Sequence, residues 1–192
     1  MIKKIGVLAL QGGVDEHIDA LLRASEKLAL PIQVVEVRTP EDIEGLDGII
    51  IPGGESTAIS HLMGRAGIFP KVSQVRKIMG TCAGAIMLAK EVDGATHGQR
   101  FLSLMDIRVE RSAYGTQRQS FEAKLTTVFG TLNGVFIRAP HLTIESREVQ
   151  PMAFRGEEIV AAYQKQGGRH FLALTFHPEL TTTRFHEFFI KL

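Results

Sequence analysis

A lone cysteine, Cys82, leaves no internal disulfide framework in this chain of 192 residues. No apolar stretch reaches the roughly 18 residues that a membrane-spanning helix needs. Charge of one sign is not concentrated anywhere. The formal net charge is +1 and like charges form no runs, so there is no electrostatic footprint for nucleic acid or a membrane surface. Nucleotide fingerprints are missing too, since neither G-x-G nor G-x-x-x-x-G-K-[ST] occurs. Without C-x-x-C or H-E-x-x-H, no metal site is expected, and no cofactor. Internal repeats and low-complexity segments are absent as well.

What remains is the composition of an ordinary globular protein, with 44% apolar and 22% charged residues. The length suits one compact domain over residues 1–192 and is short for two. Two lysines before a short apolar run resemble the start of a signal peptide. However, Gln11-Gly12-Gly13-Val14 follows without a small-residue cleavage site. A buried first strand and a cytoplasmic protein are therefore expected.

Apolar runs of strand length alternate with helical patterns in the first half. Residues 4–10 read as a strand, then Val14, Ile18, Leu21, Leu22 and Leu28 mark one helical face, with Asp15 and Glu16 in the first turn and Pro31 as a stop. Strands are predicted at 32–37, 47–51 and 78–81. Helices are predicted from Ser56, as cap, to 65, and over 69–77 and 83–90. Continuous apolar strands between helices argue for a parallel sheet covered on both faces. The second half changes character: 102–111, 121–127, 135–138 and 152–154 read as strands without long helices between them, and 157–164 is ambiguous between strand and helix. A strand at 171–176 and an amphipathic helix at 183–192 close the chain. The expected fold is a single-domain, three-layer α/β arrangement with a mostly parallel central sheet, helices on both faces and extra antiparallel strands.

The most informative pentapeptide is Gly80-Thr81-Cys82-Ala83-Gly84, which follows a strand and opens a helix. This is the G-x-nucleophile-x-G elbow with cysteine as nucleophile. A tight turn needs small neighbours, the helix N-terminus favours an anionic sulfur, and the Ala83 N–H is placed to meet a developing oxyanion. A buried structural cysteine is the competing reading, because free cysteine is among the most buried residue types. The elbow setting favours the nucleophile.

A base and an orienter are then required. His177-Pro178-Glu179 directly follows a predicted strand, and residues two apart in extended chain point the same way. Glu179 would hold the imidazole tautomer and support its protonated form. Both groups would sit at the C-terminal edge of parallel strands, where open α/β sheets place their sites. Taken alone, His177 could be a surface turn, and His17, His61, His97, His141, His170 and His186 compete with it. None of those has a carboxylate two residues on at a strand end. A third loop, Pro52-Gly53-Gly54-Glu55-Ser56-Thr57, lies between strand and helix and suits a second oxyanion donor. A phosphate-binding loop and a plain turn are its other readings.

With these residues in place, the chain resembles the glutaminase subunits of pyridoxal 5′-phosphate synthase, the PdxT family of the class I glutamine amidotransferase superfamily, whose fold is flavodoxin-like. The likeness runs through Gly6-Val7-Leu8-Ala9-Leu10-Gln11-Gly12 with Glu16-His17, the Gly-Gly-Glu-Ser-Thr loop and the Cys82 elbow. It continues through Tyr114-Gly115 with Gln117, Ser120-Phe121-Glu122, Phe136-Ile137-Arg138-Ala139-Pro140 and His177-Pro178-Glu179-Leu180. The resemblance implies Cys82 as nucleophile, His177 as general base and acid, and Glu179 as orienter. It implies glutamine binding by Gly54, Glu55 and Ser56, by Arg111, and by Ile137 and Arg138, with Gly54 and Ala83 as oxyanion donors. An arginine suits glutamine's α-carboxylate, which invites a bidentate guanidinium pair. In two places the sequence departs from the family pattern: Ser112 stands for the usual Asn, and Thr116 for the usual Arg.

The reaction implied is hydrolysis of L-glutamine to glutamate and ammonia through a γ-glutamyl thioester. Ammonia is lost to solvent unless a neighbour takes it. The resemblance supplies that neighbour, a (β/α)₈-barrel synthase subunit in a dodecameric core that builds pyridoxal 5′-phosphate. Alternatives at this point are a glutaminase serving another synthase, such as imidazole glycerol phosphate synthase, a non-catalytic cysteine-elbow binding or chaperone module, and a cysteine peptidase.

Overall fold

A strand–helix rhythm of buried aliphatic runs organises the first half of the molecule. The computed structural model describes residues 2–111 and 120–192. Strands β1 (Lys3–Leu8), β2 (Ile32–Val37), β3 (Gly48–Ile51), β4 (Lys77–Thr81) and β12 (Arg169–Leu174) pair in parallel, in the spatial order β2-β1-β3-β4-β12. The same sheet continues antiparallel through β11 (Glu158–Gln166), β10 (Val149–Arg155), β7 (Ser120–Thr127) and β8 (Gly130–Ile137), making nine strands among the described residues. A smaller sheet of β5 (Ala89–Asp93), β6 (Met105–Glu110) and β9 (His141–Ile144) lies beside it. The fold is thus α/β, with helices on both faces of the sheet and antiparallel additions in the second half.

Successive side chains of a strand point to opposite faces, and the core divides accordingly. Ile49, Ile51 and Ile78 pack with Ile59 and Met63 of α2 (Ser56–Arg65), Phe69 and Val72 of α3 (Phe69–Val72), and Ile86 and Met87 of α4 (Ala83–Leu88). Ile5, Val7, Ile50 and Met79 face the other way, onto Leu21 and Ala24 of α1 (Val14–Leu28) and Phe185, Phe189 and Ile190 of α5 (Arg184–Lys191). Each of the larger of these buried side chains contributes about 1.5–3 kcal/mol relative to exposure. An aromatic chain extends the second core under the antiparallel strands. The Phe121 and Phe136 rings stack at 4.8 Å, Phe136 reaches Phe176 at 5.7 Å, and Phe176 meets Phe185 edge-on at 5.6 Å.

Several elements depart from the sequence expectation, each because tertiary pairing outweighs local pattern. The helix predicted over 83–90 stops at Leu88, and Ala89–Asp93 becomes β5 by pairing in parallel with β6. The helix predicted over 69–77 spans only Phe69–Val72, since Lys77 already belongs to β4. The ambiguous segment 157–164 is strand β11, held between β10 and β12. Ser56 does not cap α2. Glu55 does, its carboxylate accepting from the Thr57 and Ala58 N–H groups at 3.1 and 2.6 Å. Strand β9 was not among the predicted strands and forms against β6. Ser112 and Thr116, with Tyr114, Gly115 and Gln117, lie outside the described residues.

Strands β1, β3, β4 and β12 are neighbours, so the loops leaving their C-terminal ends converge. Those loops carry Gln11–Gly13, Gly53–Ser56, Cys82 and His177. Strand β8 returns to close the group: the His177 N–H donates to the Val135 carbonyl at 2.8 Å.

Candidate active site

Cys82 sits between β4 and α4 with φ +49° and ψ −105°, a backbone conformation that costs a non-glycine residue on the order of 1–3 kcal/mol. The surrounding packing enforces it. The Cys82 N–H donates to the Leu174 carbonyl at 2.8 Å, and the Cys82 carbonyl accepts from Ala85 and Ile86 at 3.1 and 3.3 Å. The two glycines of the elbow are needed for close approach. A Cβ on Gly80 would lie 2.3 Å from the Gly84 carbonyl oxygen, and one on Gly84 would lie 2.0 Å from that of Ile51. Helix and strand touch backbone to backbone here, and that contact presses the turn into its strained shape.

The Cys82 Sγ donates to the Ile137 carbonyl at 3.7 Å and faces the imidazole of His177. The far side of that ring is fixed by Glu179, whose Oε1 lies 2.7 Å from His177 Nδ1. Pro178 opens a short 3-10 turn over Pro178–Leu180, and this turn places the two side chains of the His-x-Glu sequence on one site. Burial opposes a charge on His177. Hydrogen bonds to Cys82 and Glu179 and their negative charge outweigh it, raising the imidazole to about 10. The Glu179 side chain is only 2% exposed.

One cavity of about 470 Å³ is lined by all ten residues expected at the site: Cys82, His177, Glu179, Gly54, Glu55, Ser56, Arg111, Ile137, Arg138 and Ala83. Their arrangement adds detail. The Arg111 guanidinium pairs with Glu55 Oε1 at 3.1 Å and also donates to Thr57 Oγ1 at 3.1 Å and Gln99 Oε1 at 3.0 Å. The loop and the arginine therefore form one connected unit. Ser56 is buried and accepts from Gln99 Nε2 at 3.2 Å. Arg138, with φ +44°, directly follows β8 and lines the cavity. Among the described residues, no protein group accepts from the Gly54 or Ala83 N–H.

Three residues that the sequence reading did not assign to the site prove to belong to its framework. Gln11 Oε1 accepts the Glu55 N–H at 2.9 Å and so ties the first strand's loop to the Gly-Gly-Glu loop. His17 and Thr81 lie behind the cavity wall, with His17 Nε2 2.9 Å from Thr81 Oγ1 and 3.5 Å from Glu179 Oε2. Gln11 and His17 were visible as part of the family resemblance, but their side-chain directions depend on packing and have no local signal.

A cysteine elbow, a carboxylate-bound histidine and a glycine-rich loop around one cavity define an amide-cleaving site of the glutamine amidotransferase kind. The chain belongs to the SNO glutamine amidotransferase family, whose model matches residues 7–192. It is similar over nearly its full length to the pyridoxal 5′-phosphate synthase subunit PdxT of Pyrococcus horikoshii, at 47% identity over 98% of both chains. The subunit of that name from Thermococcus gammatolerans is 48% identical over 98% of both, and that from Ignicoccus hospitalis 43% over 98% of both. A solved structure described as a glutamine amidotransferase superposes with a TM-score of 0.84 at 41% identity, covering 97% of both chains. A GH42 β-galactosidase superposes at a TM-score of 0.61 and 11% identity, which is a likeness of fold alone.

Proposed function

We propose that this chain is the glutaminase subunit of a pyridoxal 5′-phosphate synthase, a single glutaminase domain over residues 1–192. It releases ammonia from L-glutamine with Cys82, His177 and Glu179. The observation that carries the reading is Cys82 in its strained elbow against an imidazole that Glu179 holds at 2.7 Å. The identity to PdxT subunits of pyridoxal 5′-phosphate synthases supports the choice of partner.

In this mechanism the Cys82 thiolate attacks the side-chain carbonyl carbon of glutamine. The Gly54 and Ala83 N–H groups receive the oxyanion, the kind of donor whose loss costs about 100- to 1000-fold in rate. His177 gives its proton to the departing nitrogen, so ammonia leaves and a γ-glutamyl thioester remains. His177 then takes a proton from water, the hydroxide attacks the thioester, and glutamate leaves as the sulfur is restored. Glutamine's α-ammonium and α-carboxylate match the adjacent Glu55 and Arg111, with Ser56, Ile137 and Arg138 closing the pocket. Leu180 and Ile137 at the cavity rim are 48% and 38% exposed, an apolar margin suited to a docked synthase barrel that receives the ammonia. The assembly is then a hetero-oligomer on a dodecameric synthase core, in the cytoplasm.

The test is glutamate release from glutamine with and without a pyridoxal 5′-phosphate synthase barrel subunit. Release should rise when the barrel is added and vanish in Cys82→Ala. Hydrolysis that persists in Cys82→Ala, or its absence in a folded wild type with the barrel present, would refute the proposal.

A further inference from the structure

Behind the cavity lies a buried polar chain that the mechanism does not use. His17 on α1 and His186 on α5 are both fully buried, their rings 2.9 Å apart between His17 Nδ1 and His186 Nε2. The other nitrogen of His17, Nε2, lies 2.9 Å from Thr81 Oγ1 and 3.5 Å from Glu179 Oε2. Thr81 immediately precedes Cys82, and Glu179 is the carboxylate bound to His177. One imidazole therefore touches both halves of the triad framework, the strand that carries the nucleophile and the turn that carries the orienter.

Hydrogen bonds and charge together favour one placement of the protons. Among the described residues, Glu179 Oε2 and His186 Nδ1 have no hydrogen-bond partner. If His17 carried its proton on Nδ1, donating it to His186 Nε2, then His186 would bury an unpaired N–H, and the charged Oε2 would face a second lone pair. If His186 instead donates from Nε2 to His17 Nδ1, the His17 Nε2–H donates to Thr81 Oγ1 and its positive edge lies 3.5 Å from Oε2, while the Thr81 hydroxyl takes the place of the His186 Nδ1–H as the unmet donor. Each arrangement leaves one buried donor unmet, so the edge turned toward the carboxylate decides: a lone pair 3.5 Å from the charged Oε2 is repelled, whereas an N–H dipole there is attracted. The second arrangement is favoured. The surrounding charges agree with neutral rings. His17 is held well below the usual histidine range by burial, with His186 and His177 adding to it, and His186 by burial and then by Arg23.

We infer that His17, oriented by His186, is a positioning residue for the reaction: its Nε2 edge, 3.5 Å from the second oxygen of Glu179, attracts that oxygen as a dipole attracts a charge, and thereby fixes the carboxylate rotamer that presents Oε1 to His177. The inference rests on the glutaminase reading above. His17 touches no reacting atom and acts through Glu179.

The test compares His17→Gln and His17→Asn with wild type in the glutaminase assay with the synthase barrel present. The glutamine amide nitrogen reaches the place of Nε2, and the asparagine amide reaches only that of Nδ1. His17→Gln should keep kcat within about threefold. His17→Asn should lose about 10- to 100-fold, the range typical of removing the outer hydrogen-bond partner of a functional group, with KM changed by less than about threefold. In a Glu179→Gln background neither substitution should cost more, because a residue that works through Glu179 has nothing left to position. Equal losses in the two variants, or losses that multiply with Glu179→Gln, would overturn the inference. Nitrogen NMR of histidine-labelled wild type gives a reading that survives misfolded variants or an inactive enzyme. It should show His17 neutral with the proton on Nε2 from about pH 6 to 8, and a proton on Nδ1 or an imidazolium would overturn the inference. A wild type no more active than Cys82→Ala would count against the glutaminase reading, and the NMR result would still decide the proton placement.

Discussion

Gly53→Ala tests the geometry of the site without touching any group that does chemistry. Gly53 has no left-handed backbone angle, so alanine is not excluded by conformation. It is excluded by space: a Cβ there would lie 2.4 Å from His177 Cε1, 3.1 Å from His177 Nδ1 and 3.2 Å from Cys82 Cβ. Ordinary carbon contacts begin near 3.4 Å, so the imidazole must retreat by about 1 Å. A displacement of that size at a reacting centre costs on the order of 100-fold, which is about 2.7 kcal/mol of barrier. The expected result is a kcat for glutamate release about 100-fold below wild type, with the melting temperature lowered only slightly because the displaced ring borders an open cavity. Gly64→Ala is the matched control. It lies in α2 with nothing within 4 Å of the added carbon, and should raise stability by about 0.5–1 kcal/mol with activity unchanged. A Gly53→Ala enzyme with wild-type kcat would refute the placement of His177 against this loop.

Other perturbations bear on the same network. Glu55→Ala removes the cap of α2 and the partner of Arg111, so it should cost about 1 kcal/mol in a denaturation curve and raise the KM for glutamine more than it lowers kcat. His177, raised to about 10 in the fold, contributes stability that is fully present below pH 6.5 and is lost as pH rises toward 10. Cys82→Ala removes one source of that rise, and denaturation curves from pH 7 to 10 should decline less for it than for wild type. His17 and His186 have the opposite sign. The unfolded chain binds protons that the fold refuses, so stability is intact above pH 6.5 and falls as pH drops, for His186 down to about 3. The slope is up to about 1.4 kcal/mol per pH unit for each ring. Urea midpoints that stay constant between pH 6.5 and 5 would contradict the buried neutral pair.

The sequence by itself determined the parallel half of the sheet and singled out residues that the fold gathers around one cavity. The runs in β3 and β4 and the last four residues of β1 and β12 are buried on both faces, a pattern that only cover from both sides explains, while edge strand β2 leaves Gln33 and Glu36 exposed. The elbow and the His-Pro-Glu sequence are local: residue size, strand end and a two-residue spacing mark Cys82, His177 and Glu179, and the pairing of β4 with β12 brings them together. Where the energy is non-local, local pattern fell short. Ala89 and Lys90 read as the end of a helix until β6 offers its hydrogen bonds, and β9 pairs only with β6 among the described residues. Ser56 has the right chemistry for a cap, yet Glu55 takes the role because Gln11 holds its N–H and Arg111 its carboxylate. The buried pairing of His17 with His186, 169 residues apart, has no sequence signal at all. Packing α1 against α5 brings those rings together, and only that packing sets them behind Glu179.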